Sequence, residues 1–145
     1  MAVLMSQTTK QDVESAVRTY WSVTAAKDAE KQQEAYSEEA FIFTSSSRRL
    51  ELARLVSMRR QREYLAATTK LRVEVGSPIE VALLGSNSAI AAYTLHFHTE
   101  QMPTNGSITK SQEEHLKNAR VTHVFQCDAE GRLRIIHEHI SMPQG

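Results

Sequence analysis

Two pairs of histidines at alternate positions are the first residues in this sequence whose types and spacing could do chemistry. His96 and His98 form one pair, and His137 and His139 form the other. Alternate side chains of a strand project from the same face, so each pair could offer two imidazoles to a metal ion such as zinc. Such a site needs at least one more ligand, and none follows either pair at a recognisable spacing. We therefore expect neither a metal nor another cofactor.

Two further residues, His123 and Glu138, are candidates for proton transfer. Imidazole titrates near neutral pH, and a glutamate in an apolar cavity would be a perturbed acid or base. Each residue could instead have a purely structural role. For His123 that role is a half-buried histidine of a sheet, and we favour this interpretation. For Glu138 it is a surface or interface ion pair, and the two interpretations carry equal weight. No phosphate-binding loop, dinucleotide glycine pattern or nucleophile motif is present.

Four aromatic residues of the first half are candidates for a ligand pocket. Tyr20 could donate from its phenol to a ligand oxygen, and this role and simple core packing are equally compatible with its position. Trp21, Tyr36 and Phe43 could form apolar walls, although ordinary core packing is the better explanation for these three.

Helical spacing and capping residues predict three helices in the first half. Thr9 and Asp12 have the spacing of a capping box, and Asp28 can cap a second helix. The third helix carries many arginines, which suit phosphates or carboxylates but are better explained as a solvated face. The predicted elements are helices at about 10–26, 28–36 and 52–65, with a short strand at 41–44 between the last two.

From about residue 70 the apolar period changes to two, which predicts strands. A turn at Asp128, Ala129, Glu130 and Gly131 joins the last two strands, because glycine can adopt the positive φ that a hairpin requires. The predicted strands are 71–75, 79–83, a long one containing 93–97, then 114–127 and 132–141, with a polar loop at 102–111. Helices first and an antiparallel sheet afterwards describe an α+β fold.

Composition fits one ordinary globular domain. The chain has 145 residues, of which 41% are hydrophobic and 23% are charged, and 17 basic residues match 17 acidic ones. This balance offers no general attraction to nucleic acid or to an anionic membrane. Cys127 is the single cysteine, and no long apolar run is present, so we expect a cytoplasmic protein. We expect a flexible tail at 1–9 and one domain at 10–143.

The last two strands carry a family resemblance. The segment 120–125 and the ending 131–143, which contains a His-x-His-x-Ser pattern, resemble the closing strands of SnoaL-like proteins of the nuclear-transport-factor-2-like superfamily. A similar ending closes the association domain of calcium/calmodulin-dependent kinases. The resemblance implies a cone-shaped α+β barrel, with three N-terminal helices packed on a curved, mostly antiparallel sheet. It also implies an apolar pocket and a homodimer formed through the outer face of the sheet.

Ketosteroid isomerases share this fold, and comparison with them assigns positions in this chain. The resemblance places Tyr20 on the oxyanion tyrosine and His123 about where a second carboxylate lies. It places Thr44 on the general-base aspartate, and because threonine cannot be that base, we do not expect the usual steroid isomerase chemistry.

The same comparison assigns the last strand. It puts Ile136, Glu138 and Ile140 in the pocket, which leaves His137 and His139 at the outer, dimer-forming face. A β-bulge in this strand would reverse the assignment.

Two functions follow from the resemblance. The first is a protein that binds a small apolar or polycyclic molecule, and that isomerises or cyclises it with Tyr20, His123 or Glu138 moving the protons. The second is a non-catalytic association module in which the sheet face drives self-assembly. A fold alone does not decide between them, because one fold hosts many functions.

Overall fold

A computed structural model describes residues 7–43, 51–52, 66, 68–101 and 112–142 of the chain. Within these residues the predicted combination of N-terminal helices and a later sheet is confirmed. The elements are α1 Lys10–Ala25, α2 Ala29–Glu34, β1 Tyr36–Phe43, β2 Glu51–Leu52, β3 Thr68–Val75, β4 Glu80–Leu83, β5 Ser88–Gln101, β6 Gln112–Cys127 and β7 Leu133–Ser141. No helix in this part of the chain is long and apolar enough to cross a membrane.

Helix α1 begins at the predicted capping box. The Thr9 hydroxyl accepts from the Asp12 backbone N–H at 3.1 Å, and the Asp12 carboxylate accepts from the Thr9 N–H at 2.9 Å. This exchange satisfies two amides that a helix start otherwise leaves unpaired. The buried side chains of α1 are Val13, Val17, Tyr20, Trp21 and Thr24. Their spacing turns Tyr20 and Trp21 toward the core.

Helix α2 is shorter than predicted. Asp28 caps it as expected, with its carboxylate accepting from the Lys31 N–H at 3.1 Å. The helix ends at Glu34, whereas the sequence predicted helix through Tyr36. Tyr36 instead opens β1, because the chain pairs with β7 there and the Ile135 N–H donates to the Ala35 carbonyl at 2.8 Å.

One mixed sheet joins the strands in the order β2-β1-β7-β6-β5-β3, and β4 also pairs with β5. All these pairs are antiparallel except β1 with β7, which is parallel. Helix α1 contacts β3, β4 and β5, so its buried stripe covers one face of the sheet. The largest fully buried apolar side chains on the sheet are Leu95, Val121, Phe125 and Ile135. This arrangement fits the cone-shaped α+β fold that the sequence predicts.

The turn between β6 and β7 is built around Asp128. Its carboxylate accepts from the backbone N–H groups of Glu130 and Arg132, both at 2.9 Å, and from Arg134 Nε at 3.0 Å. Gly131 has φ +80°, the conformation for which the sequence predicted a glycine. The hydrogen bond from the Arg132 N–H, followed by the one from Arg134, lowers the pKa of Asp128 to about 2.

Other sequence predictions fall on residues that the structure does not describe. The polar loop at 102–111, Thr44 and the third helix beyond Leu52 lie there. Leu52 itself is not helical, because its backbone pairs with Phe41 in the short strand β2. Residues 1–6 of the predicted tail are also outside the described part. Thr8 is buried, and its N–H donates to the Ser86 carbonyl at 3.0 Å.

Candidate functional site

A histidine and a glutamate form a buried pair in the middle of the sheet. His123 of β6 lies directly opposite Glu138 of β7, and the two side chains leave the sheet on the same face. His123 Nε2 lies 2.6 Å from Glu138 Oε2, and the two residues are 0% and 2% exposed. Removing these groups from water is costly unless both are hydrogen-bonded, so the pair depends on its neighbours.

Two tyrosines extend the pair toward the helices. Tyr36, at the start of β1, donates from its hydroxyl to Glu138 Oε1 at 3.0 Å. The Tyr20 hydroxyl of α1 lies 2.5 Å from the Tyr36 hydroxyl. Both carboxylate oxygens of Glu138 therefore have a partner.

A second arm reaches His123 from the opposite side. Trp21 Nε1 donates to the Tyr93 hydroxyl at 2.6 Å, and that hydroxyl lies 3.3 Å from His123 Nδ1. Tyr93 comes from β5, next to β6 in the sheet. Six side chains thus form one hydrogen-bonded chain, which we call the buried network: Tyr20, Trp21, Tyr36, Tyr93, His123 and Glu138.

Burial keeps the phenols of the buried network protonated. Desolvation, the largest cause, raises the pKa of Tyr20 and of Tyr36 well above the ordinary value. The nearby Glu138 carboxylate raises both further. Desolvation likewise raises the pKa of Tyr93, against a smaller lowering by the hydrogen bond from Trp21. At neutral pH these hydroxyls therefore keep their protons and can donate hydrogen bonds.

A groove of about 750 Å³ runs beside one end of the buried network. Tyr20 lines it together with both apolar and polar side chains of α1 and of the β6–β7 end, and Lys31, Glu34 and Arg132 are among its charged lining residues. This volume lies within the range typical of small-molecule sites, roughly 300–1,000 Å³. The apolar lining residues are Ala16, Val23, Ala35, Phe125, Leu133 and Ile135.

The pocket residues predicted in β7 are shifted by a bulge. Phe125 pairs with Ile135 and Val124 pairs with His137, so Ile136 is an extra residue in β7. Ile135, and not Ile136, is fully buried in the core. Ile140 is half-buried and packs against that core. Glu138 keeps its inward orientation because the alternation resumes after the extra residue.

The outer face of the sheet carries a separate cluster, which contains the predicted wall residue Phe43. Phe43 is 37% exposed, and its ring lies 5.6 Å from that of His139. Phe41 is also exposed, and its ring lies 4.7 Å from that of His137, whose Nδ1 donates to the Phe41 carbonyl at 2.9 Å. We call Phe41, Phe43, His137 and His139 the outer cluster. Phe43 therefore lies on the face opposite the buried network.

The structure thus brings together five of the residues chosen from sequence: Tyr20, Trp21, Tyr36, His123 and Glu138. It adds Tyr93, which the sequence analysis placed in a predicted strand but not in a site. The signal was present, because Tyr93 alternates with Leu95 and Phe97 and carries a polar group that needs a partner. Among the described side chains, no group of three or more His, Cys, Asp or Glu is placed to hold a metal ion.

Comparison with known proteins gives matches in structure. No protein-family model matches this sequence, and no curated protein matches it either. A candidate dehydratase of the NTF2-like family from Streptomyces avermitilis is 15% identical with a TM-score of 0.75, over 95% of this chain and 100% of that one. A candidate calcium/calmodulin-dependent protein kinase II association domain from Xanthomonas campestris is 20% identical with a TM-score of 0.71, over 100% of both chains.

A third solved structure is a candidate scytalone dehydratase from Novosphingobium aromaticivorans. It is 7% identical with a TM-score of 0.75, over 92% of this chain and 83% of that one. Sequence identities this low transfer no residue roles, but the coverage is nearly complete in all three cases. The chain therefore has the nuclear-transport-factor-2-like fold, the fold of the superfamily that its closing strands resemble.

Proposed function

We propose that the protein binds a small, largely apolar molecule and moves a proton on it without a cofactor, as an isomerase or cyclase. The observation that supports this most is the buried pair of Glu138 and His123, with Tyr36 on the second carboxylate oxygen. Sites of general acid–base catalysis commonly contain hydrogen-bonded titratable groups in a desolvated interior. In this scheme Glu138 accepts the proton, and His123 and Tyr20 are its catalytic partners.

The surroundings of the buried network support a ligand of this kind. Tyr20 belongs both to the buried network and to the lining of the 750 Å³ groove, so the two are contiguous. Part of the groove wall is apolar, as in small-molecule sites, and polar residues line the rest of it. Two of the similar structures are described as candidate dehydratases, and dehydration is also acid–base chemistry. We extend only this class of chemistry to the present chain.

Deuterium exchange tests the proposal with model compounds in place of an identified substrate. The purified protein is incubated in D2O with a panel of bicyclic enols and ketones, beginning with 2-naphthol and 2-tetralone. Loss of the proton signal at the carbon next to the oxygen is followed by NMR. We expect the protein to accelerate exchange, and E138Q to lose roughly 100-fold or more of that rate, because general acid–base groups contribute at least this much.

His139→Gln is the matched control, since His139 lies one residue away in the same strand but belongs to the outer cluster. It should keep the exchange rate of the unaltered protein. An E138Q protein that exchanges as fast as the unaltered one would exclude Glu138 as the base.

A second candidate function is a non-catalytic association module. The outer cluster favours it, because two phenylalanines exposed side by side on a sheet are typical of a surface that another protein covers. One similar structure is a candidate kinase association domain. In both functions we propose a homodimer through this outer face. Native mass spectrometry separates the two: a dimer carrying an apolar molecule supports the enzyme, and an empty larger oligomer supports the module.

A further inference from the structure

The hydrogen bonds around His123 determine which of its two ring nitrogens carries a proton. Trp21 Nε1 can only donate, so the Tyr93 oxygen, 2.6 Å away, accepts from it. The single proton of Tyr93 is therefore not directed at Trp21. The other partner of that hydroxyl among the described hydrogen bonds is His123 Nδ1 at 3.3 Å, so Tyr93 donates and Nδ1 accepts. A neutral His123 then carries its proton on Nε2.

The contacts of Glu138 agree with this arrangement. His123 Nε2 lies 2.6 Å from Glu138 Oε2 and has a proton to donate to it. Tyr36 donates to the other oxygen of the same side chain at 3.0 Å. An ionised carboxylate can only accept, and it accepts here on both oxygens. The hydrogen bonds on the two sides of His123 thus match an ionised Glu138 beside a neutral His123.

The opposite arrangement leaves a buried proton unpaired. If Glu138 donated to His123 Nε2, the imidazole proton would lie on Nδ1 and be donated to the Tyr93 oxygen. Tyr93 would then accept from both neighbours, and its own proton would have no acceptor among the described residues, although Tyr93 is only 6% exposed. A doubly protonated His123 has the same defect. Because an unpaired buried donor costs as much as a lost hydrogen bond, the first arrangement should be favoured roughly tenfold or more.

We infer that Trp21 and Tyr93 are positioning residues that hold His123 as a hydrogen-bond donor to Glu138, so that Glu138 and not His123 is the base. The inference rests on the proposed function, since it assigns the roles of groups in the same site. Nδ1 is occupied by the Tyr93 proton and Nε2 carries its own, so His123 has no lone pair for a substrate proton. The Glu138 carboxylate keeps free lone pairs beside the two that it uses. Trp21 contacts Tyr93 and Tyr93 contacts His123, so both act on Glu138 through His123.

Nitrogen NMR of the imidazole rings tests the arrangement without a ligand. Spectra are recorded at neutral pH on the full chain labelled with 15N. The His123 signals are identified by the contacts of its ring protons with those of Phe125, whose ring centroid lies 5.5 Å away. We expect a bare nitrogen at Nδ1 and a proton-bearing one at Nε2, which their couplings to the ring carbon protons tell apart. A bare Nε2, or protons on both nitrogens, would overturn the inference.

Two single changes remove the two links, and a third is their control. Y93F deletes the proton that Nδ1 accepts, and W21F deletes the donor that orients Tyr93. We expect the Nδ1 signal to move toward that of a nitrogen without a hydrogen bond in Y93F, and to move less in W21F. F97L is the control, because Phe97 packs on the Trp21 ring, with centroids 6.4 Å apart, and has no polar group. A signal unmoved in Y93F, or moved equally in F97L, would contradict donation by Tyr93.

Deuterium exchange with 2-tetralone separates positioning from a merely structural role. We expect Y93F to lose roughly tenfold of the saturated exchange rate, the size of one net hydrogen bond. The half-saturating concentration should not change, because Tyr93 is not among the described residues that line the groove. An unchanged saturated rate in Y93F would overturn the positioning role.

The inference and the proposed function can fail separately. A protein with the expected nitrogen spectrum that exchanges no deuterium would refute the proposed function, while the assignment of the protons stands. Exchange by a protein whose bare nitrogen is Nε2 would support the proposed function and refute the inference, because His123 would then be free to act as the base.

Discussion

The two faces of β7 place titratable residues in opposite environments. On the inner face, Glu138 is 2% exposed and has a partner on each oxygen. On the outer face, His139 is exposed and His137 is half-buried, with phenylalanine rings beside them. The enclosed inner groups depend on one another for hydrogen bonds, whereas the outer side chains can exchange partners with water. Titratable residues of one strand are thus divided between a candidate reaction site and a candidate contact surface.

The largest expected difference between the faces is in stability. Glu138→Ala leaves His123 Nε2 and the Tyr36 hydroxyl buried without an acceptor, so we expect a loss of about 3–5 kcal/mol in the free energy of unfolding. His139→Ala changes an exposed side chain and should stay within about 0.5 kcal/mol. Urea denaturation of both variants measures the contrast. Equal losses would mean that the buried network contributes nothing beyond ordinary side-chain contacts.

The next largest expected effect is on the proposed dimer and comes from a change in the outer cluster. Phe43→Asp places a charge in the outer cluster, so we expect the proposed dimer to weaken by about 2 kcal/mol, the loss typical of a central aromatic residue in an interface. Sedimentation over a range of concentrations measures it. Deuterium exchange in the isolated subunit should persist, because Phe43 lies on the face opposite the buried network. An unchanged dimer would place the interface elsewhere.

The smallest expected effect concerns the turn that holds β6 and β7 in register. The pKa of Asp128 is lowered to about 2, whereas the ordinary pKa of an aspartate is about 3.9. The ionised carboxylate therefore stabilises the fold fully at pH values above the ordinary pKa, and this contribution is lost as the pH falls toward 2. The unaltered protein should therefore melt slightly above Asp128→Asn at pH 5, and the two melting temperatures should converge near pH 2. Melting curves that differ equally at both pH values would contradict this explanation.

Much of the architecture could be predicted because it depends on residues that are close together in the sequence. The capping box at Thr9, the cap at Asp28 and the glycine at the last turn each need only a few neighbouring residues, and the structure places all of them as expected. The change of the apolar period to two likewise predicted the strand that the structure shows as β5. Leu52 and Tyr36 were assigned to helices because propensity ignores the pairing of distant strands, which decides both positions.

The candidate site was only partly predictable, for a related reason. Tyr20, His123 and Glu138 were chosen from a family resemblance, and the structure gathers them into one network. Tyr93 was missed, because its contact with His123 depends on how β5 and β6 align over 30 residues of sequence separation.

The single extra residue in β7 decides which titratable group enters the core. In a regular strand, an inward Ile135 would carry His137 inward with it and turn Glu138 to the outside, because successive side chains alternate between faces. The register shift at Ile136 lets Ile135 and Glu138 share the interior. One strand therefore encodes two alternative interiors, a carboxylate with the bulge and an imidazole without it, and loss of the bulge at the same chain length would exchange them.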